Sequence, residues 1–111
     1  MKNLLGVKGE TLAKDYLIKN KYKILEVNYT NKLGEIDIIV KQKDTIVFVE
    51  VKTRSSTKFG FPCESVTKHK QEKIKQVASV YLIKNKKTCA NCRFDVIDIL
   101  NQEITHITNA F

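Results

Sequence analysis

The sequence holds one proline and four glycines in 111 residues, and no low-complexity stretch, internal repeat or linker interrupts it. No apolar run approaches the ~20 residues that a membrane-spanning helix needs. The first residues, Met1-Lys2-Asn3-Leu4-Leu5-Gly6, lack the long apolar core of a signal peptide, so a cytoplasmic location without membrane partners is expected. A Gly-rich phosphate loop, a serine nucleophile elbow and a dinucleotide fingerprint are all missing. Cysteine is scarce and odd in number: Cys63, Cys89 and Cys92. Free thiols are the simplest reading without a secretion signal. Cys89-Ala90-Asn91-Cys92 has metal-ligand spacing, but no second such pair exists, and Cys63 and His69 would complete a zinc set only by coincidence of folding.

What is present is ordinary in bulk and biased in charge. A chain of this length suits one domain, residues 1–111, with a single core. Apolar residues make up 42% and charged residues 29%, as in soluble globular proteins. Twenty basic against twelve acidic residues give a formal charge of +8, and eighteen of the twenty are lysine. That excess favours polyanionic partners, nucleic acid first among them, unless it is only a lysine-rich solvated surface.

Periodicity places a helix over about residues 4–20, with Leu5, Leu12, Ala13, Tyr16 and Leu17 on one face. A strand is expected over Lys23–Tyr29, and two more over 34–40 and 46–52. Residues 54–64 read as a polar loop and about 66–84 as a second helix, with Ile74, Val77, Ala78, Tyr81 and Leu82 facing the core. Strands over Phe94–Leu100 and Glu103–Thr108 complete the order α-β-β-β-α-β-β. That order implies an α/β fold, a mixed central sheet flanked by helices.

The two most apolar strands carry acids that a core does not need. Asp37 lies within Gly34-Glu35-Ile36-Asp37-Ile38-Ile39-Val40, and Glu50 and Lys52 lie within Ile46–Lys52. A buried acid is costly unless it is paired or holds a metal. A two-residue turn at Lys43-Asp44 sets Gln42 opposite Thr45. Counting back along both strands brings Asp37 opposite Glu50, and Glu35 opposite Lys52. Directly opposed side chains share a face, roughly 4.5–5.5 Å apart at Cβ. Two facing carboxylates repel, and a divalent cation between them removes the penalty. An odd-length loop or a bulge would break this register.

An Asp on one strand and Glu-x-Lys on the next suits metal-assisted phosphodiester hydrolysis. Asp37 and Glu50, with the Val51 carbonyl as a further ligand, would hold Mg²⁺ or Mn²⁺. Lys52 would position the attacking water or offset transition-state charge. The competing reading is a cross-strand ion-pair ladder with Glu35–Lys52 as one rung, but a ladder would alternate signs, and Asp37 opposite Glu50 does not. The rest of that face is Ile39, Ile46 and Phe48, apolar toward the turn and charged at one end.

These motifs resemble those of the bacterial YraN-like family. The likeness rests on Gly34–Ile39, Phe48–Arg54, Phe59-Gly60-x-Pro62, Lys70-Gln71, Arg93–Val96 and Asn109-Ala110-Phe111, with Gly9-Glu10, Ala13, Tyr16 and Leu17 before them. It spans essentially the whole chain. The family is regarded as restriction-endonuclease-like, in the PD-(D/E)XK superfamily, and similar to archaeal Holliday-junction resolvases. The resemblance implies that fold and a metal-dependent nuclease acting on DNA, with branched or structured DNA as the substrate class. It puts Asp37, Glu50 and Lys52 in the acidic and lysine positions, and Glu10 where many relatives place an acid near the metal. Related junction-cleaving enzymes act as dimers, so a homodimer is an allowed expectation.

Accessory positions keep two readings each. Glu10 flanks the first helix, where an acid also suits the helix dipole. Gln71 could reach the site or stay solvated, and Arg54 is placed for phosphate binding directly after Glu-x-Lys. Lys68, Lys70 and Lys73 suit diffuse attraction of nucleic acid. His69 and His106 read as structural or solvated, and Asp95 beside Arg93 as a structural ion pair. Two functional rivals share these residues: a non-catalytic nucleic-acid-binding protein of the same fold, and a protein-interaction subunit with a structural ion-pair cluster.

Overall fold

In the computed structural model, which describes residues 4–54, 66–87 and 90–111, the elements follow the order α-β-β-β-α-β-β. Helix α1 (Leu4–Lys19) precedes strands β1 (Lys23–Asn31), β2 (Gly34–Gln42) and β3 (Thr45–Arg54). Helix α2 (Lys68–Lys84) then leads to β4 (Asn91–Leu100) and β5 (Glu103–Ile107). The second helix starts later than its apolar pattern suggests, because Thr67 serves as its N-cap and its side chain accepts the Lys70 N–H. Arg54 is the last residue of β3 rather than the first of a loop. The remainder of the expected polar loop, with Phe59, Gly60, Pro62 and Cys63, lies outside the described residues, as does Cys89. Cys92 is a free, exposed thiol.

The five strands form one mixed sheet in sequence order. Neighbours are antiparallel except β3 and β4, which run parallel because α2 carries the chain back between them. The β2–β3 connection is the two-residue turn anticipated from Lys43-Asp44, with Gln42 paired to Thr45. Lys43 takes φ +53°, the left-handed value that hairpin turns need at their first central position.

Each face of the sheet buries its own apolar cluster. Ile39, Ile46, Phe48 and Val96 pack against Ile74, Val77, Ala78 and Tyr81 of α2. On the other face Ile38, Val40, Val47, Val49, Ile97 and Ile99 pack against Ala13 and Leu17 of α1. Each Val, Ile, Leu or Phe among them contributes about 1.5–3 kcal/mol when fully buried. The strands therefore sit between helices, a mixed α/β architecture compatible with a restriction-endonuclease-like fold. None of the described helices is long and apolar enough to cross a membrane.

Candidate functional site

β2 and β3 pair regularly from Gln42–Thr45 as far as Ile38–Val49, and there the described ladder stops. In an unbroken ladder the Val51 N–H would meet the Ile36 carbonyl. It donates instead to Asp37 Oδ2 at 2.8 Å. Strand alternation fails at the same point, since Ile36 packs on the α2 side and Ile38 on the α1 side. On β1, Asn28 takes φ +54°, between the paired residues Val27–Ile38 and Tyr29–Ile36. The register of the hairpin is as anticipated, but Asp37–Glu50 and Glu35–Lys52 are not rungs of the described ladder. The strands part, and the Asp37 side chain takes the place of a backbone acceptor.

This parting brings a third acid into play. Carboxylate oxygens of Glu10, Glu35 and Asp37 lie within 4.8 Å of one another. Glu10 arrives from α1, which approaches β3 closely because residue 9 is glycine. A Cβ at Gly9 would overlap Thr53 Oγ1 and stand 3.1 Å from Thr53 Cβ. Glu35 and Asp37 flank Ile36 on β2, where the alternation breaks, and their carboxylates meet there. Three carboxylates this close offer hard oxygen donors of the kind Mg²⁺ and Mn²⁺ prefer. Glu35 was legible in sequence as a neighbour of Asp37, but not as a partner of Glu10.

Glu50 sits beside this trio in different company. It is buried, and Lys70 Nζ from the first turn of α2 lies 2.9 Å from its Oε1, with Lys52 Nζ at 3.8 Å. Burial, together with the charge of Asp37, pushes the Glu50 carboxyl above its ordinary range, and the two lysines only partly offset this. Burial and the neighbouring Lys70 hold the Lys52 amine below the usual lysine range. Burial pulls Lys70 down as well, but its hydrogen bonds with Lys52 and Glu50 outweigh that and raise it. Of the two amines, Lys52 gives up its proton more readily. A cleft of about 380 Å³ has Glu35, Asp37, Glu50, Lys70 and Lys73 on its walls, while Glu10 lines a separate depression with Thr11 and Lys14.

The other candidates have separate surroundings. Arg54 Nε donates to the buried Asp98 at 2.9 Å. Gln71 Nε2 donates to the Val66 carbonyl at 3.1 Å, bracing the entry to α2. Lys68 and Lys73 are exposed on the first turns of that helix. Val51 meets the acids through its N–H.

A second polar network, on the α1 face, was legible only as the Arg93–Asp95 pair. Arg93 binds the fully buried Asp95 in bidentate fashion, at 2.9 and 3.0 Å, and reaches Tyr22 Oη at 2.8 Å. His106 Nε2 stands 2.7 Å from Asp95 Oδ2, and Tyr16 Oη stands 3.0 Å from His106 Nδ1. The Asn109 N–H donates to Asp95 as well, while Ala110 N–H donates to the Phe94 carbonyl and Phe111 stacks on Phe94. Burial pushes the Asp95 carboxyl up, but His106, Arg93 and the Asn109 N–H together hold it below the ordinary range.

Residues 9–99 match the family described as Uncharacterised protein family UPF0102. A UPF0102 protein of Clostridioides difficile strain 630 is 55% identical over 105 residues, covering 93% of this chain and 92% of its own. One from Caldanaerobacter subterraneus subsp. tengcongensis is 48% identical over 117 residues, covering 99% and 96%. One from Thermodesulfovibrio yellowstonii is 51% identical over 107 residues, covering 96% and 95%. With a matched family spanning most of its length and relatives this similar end to end, the chain belongs to the UPF0102 family, the YraN-like proteins its strand motifs resemble.

Proposed function

We propose that this protein is a small divalent-metal-dependent phosphodiesterase acting on nucleic acid, with structured or branched DNA as the substrate class. The observation that carries the reading is the grouping of Glu10, Glu35 and Asp37 beside Glu50 and Lys52 where β2 and β3 part. Asp37, Glu10 and Glu35 would hold Mg²⁺ or Mn²⁺, with Glu50 and the Val51 carbonyl as further ligands. When bound, the metal supplies Lewis-acid polarisation of the phosphoryl oxygen and a more acidic water.

The chain's own residues have separate tasks. Asp37 bridges the parted strands by accepting the Val51 N–H, and its carboxylate also belongs to the acidic group. Lys52, beside Glu50, is suited to position the attacking water or to offset the charge that develops in the transition state. Lys70 and Lys73 on the cleft wall would draw the phosphate backbone toward the acids.

The test combines binding and cleavage. Mn²⁺ titration of wild type and Asp37→Ala comes first, followed by incubation with a panel of branched, single-stranded and duplex DNAs. Cleavage by wild type and none by the variant supports the reading. Equal activity in both would overturn it. A second reading keeps the fold and the DNA contact without cleavage, and the observation in its favour is that Glu50 is already satisfied by Lys70 and Lys52. Metal-independent DNA binding with no cut product by either protein would favour it.

A further inference from the structure

The end of the sheet away from the acidic cleft carries nearly all of the chain's net charge. Lys19 ends α1 and Lys84 ends α2, while Lys21 and Lys23 lead into β1. Lys41 and Lys43 adjoin the β2–β3 turn, and Lys86 and Lys87 follow α2 on the way to β4. Strand pairing gathers these segments: Lys23 is opposite Lys41, Gln42 opposite Thr45, and Thr45 beside Asn91. Segments 19–23, 41–45 and 84–87 hold eight lysines and a single acid, Asp44. The resulting +7 compares with +8 for the whole chain.

Several features of this pole are unfavourable without an anion. All eight lysines are exposed, and none forms an ion pair among the described residues. Lys23 and Lys41 oppose each other directly, a like-charged cross-strand pair that destabilises a sheet. Lys21, Lys43 and Lys86 occupy left-handed positions, φ +69°, +53° and +55°, where glycine or asparagine costs less. Only Lys19 and Lys84 have a local explanation, as cations at helix C-termini. The exposed Ile18 and Ile83 belong to helices on opposite faces of the sheet, so they form no single apolar patch for a lipid surface.

We propose that this lysine pole is a second DNA-binding surface that grips the sugar–phosphate backbone of a duplex segment flanking the cleft. It lies about 15 Å along the strands from Asp37 and Glu50, at ~3.3 Å per residue. Duplex DNA presents one phosphate per ~1.7 Å of axis, a charge density matched by compact ammonium groups spread over several turns. The proposal rests on the nucleic-acid part of the reading above, and on neither metal binding nor cleavage.

The test is fluorescence anisotropy with a labelled duplex several helical turns long, in EDTA, over a range of salt concentrations. Lys41→Gln/Lys43→Gln is compared with Lys68→Gln/Lys73→Gln beside the cleft. The pole variant should bind several-fold more weakly, with its log–log salt slope reduced by about 2. Its melting temperature should equal or exceed that of wild type, because the repulsion between Lys23 and Lys41 is relieved. Lys86→Gln/Lys87→Gln, outside the sheet, should weaken binding similarly and guards against a folding artefact. Wild-type affinity and slope in both pole variants would overturn the proposal while leaving the cleft reading intact. So would loss of binding to anionic lipid vesicles with duplex binding unchanged. A wild-type protein that retains no DNA at low salt would overturn both readings.

Discussion

The Val51 N–H donates to the Asp37 carboxylate across 2.8 Å, at the place where β2 and β3 cease to pair. A side chain standing in for a strand carbonyl lets the sheet open without leaving a buried donor unsatisfied. Asp37 is therefore both a structural acceptor and a member of the acidic group. Asp37→Asn keeps an oxygen for Val51 and removes the charge, whereas Asp37→Ala removes both. In urea denaturation, Asp37→Ala should lose about 1–3 kcal/mol and Asp37→Asn clearly less. Equal losses would show that the hydrogen bond is not what closes the split.

Gly9 makes the three-acid group possible by letting α1 come against Thr53. Gly9→Ala should push the helix outward, costing about 1–3 kcal/mol of stability and displacing Glu10 from Asp37. Adding Thr53→Ala removes the hydroxyl in the way and should recover most of the loss. Mn²⁺ affinity is expected to follow stability in this pair, falling in the single variant and returning in the double. A double variant that melts like the single one would contradict the packing argument.

The Glu50 carboxyl titrates above its ordinary range because burial and Asp37 disfavour the anion. A raised carboxyl opposes folding once pH rises above its unfolded value, so this group lends no stability at neutral pH. A carboxylate must be ionised to act as a metal ligand. Mn²⁺ affinity should thus rise with pH through a midpoint above the usual glutamate range, and Glu50→Gln should abolish that step. Lys70→Met removes the competing ion pair and should raise affinity in wild type but not in Glu50→Gln. An equal gain in both backgrounds would mean that Lys70 acts only through diffuse charge.

The Asp95 network makes a prediction of opposite sign. His106, Arg93 and the Asn109 N–H hold that carboxyl below its ordinary range despite burial. A depressed carboxyl stabilises the fold above its unfolded value, about pH 4, and the contribution is lost as pH falls through the native value. Wild-type stability should fall below about pH 4, while Asp95→Asn should be less stable at pH 7 and lose less on acidification than wild type. Removing one partner of a buried pair costs about 3–5 kcal/mol, since Arg93 and His106 are left facing a neutral group. A parallel pH profile in the two proteins would contradict this assignment.

Much of this arrangement is legible before any coordinates. Alternating Val, Ile and Phe in β2 and β3 give the strands, Lys43-Asp44 gives their register, and the apolar rows of α2 give its buried face. The acids stand out because Asp37 and Glu50 interrupt those rows. Register alone carries the reading too far, however, since it treats the hairpin as regular through Asp37–Glu50. The strands part at Ile38–Val49 because Asp37 can satisfy Val51 from its side chain, a choice that pairing rules do not contain. The union of Glu10 with Glu35 and Asp37 depends on how closely α1 packs, and Lys70 meets Glu50 only through the α2 crossover. The Tyr16–His106–Asp95–Arg93–Tyr22 network joins residues from distant parts of the chain, for which local sequence offers no signal beyond Arg93-x-Asp95.

On the proposed function, the acids at the β2–β3 split bind a divalent cation. Mn²⁺ titration followed by the electron paramagnetic resonance of the free ion tests it most directly. Wild type should take up the ion saturably, with displacement by Mg²⁺, and Asp37→Ala protein that remains folded should not. Uptake equal in wild type and Asp37→Ala, or none in wild type at neutral pH, would contradict it.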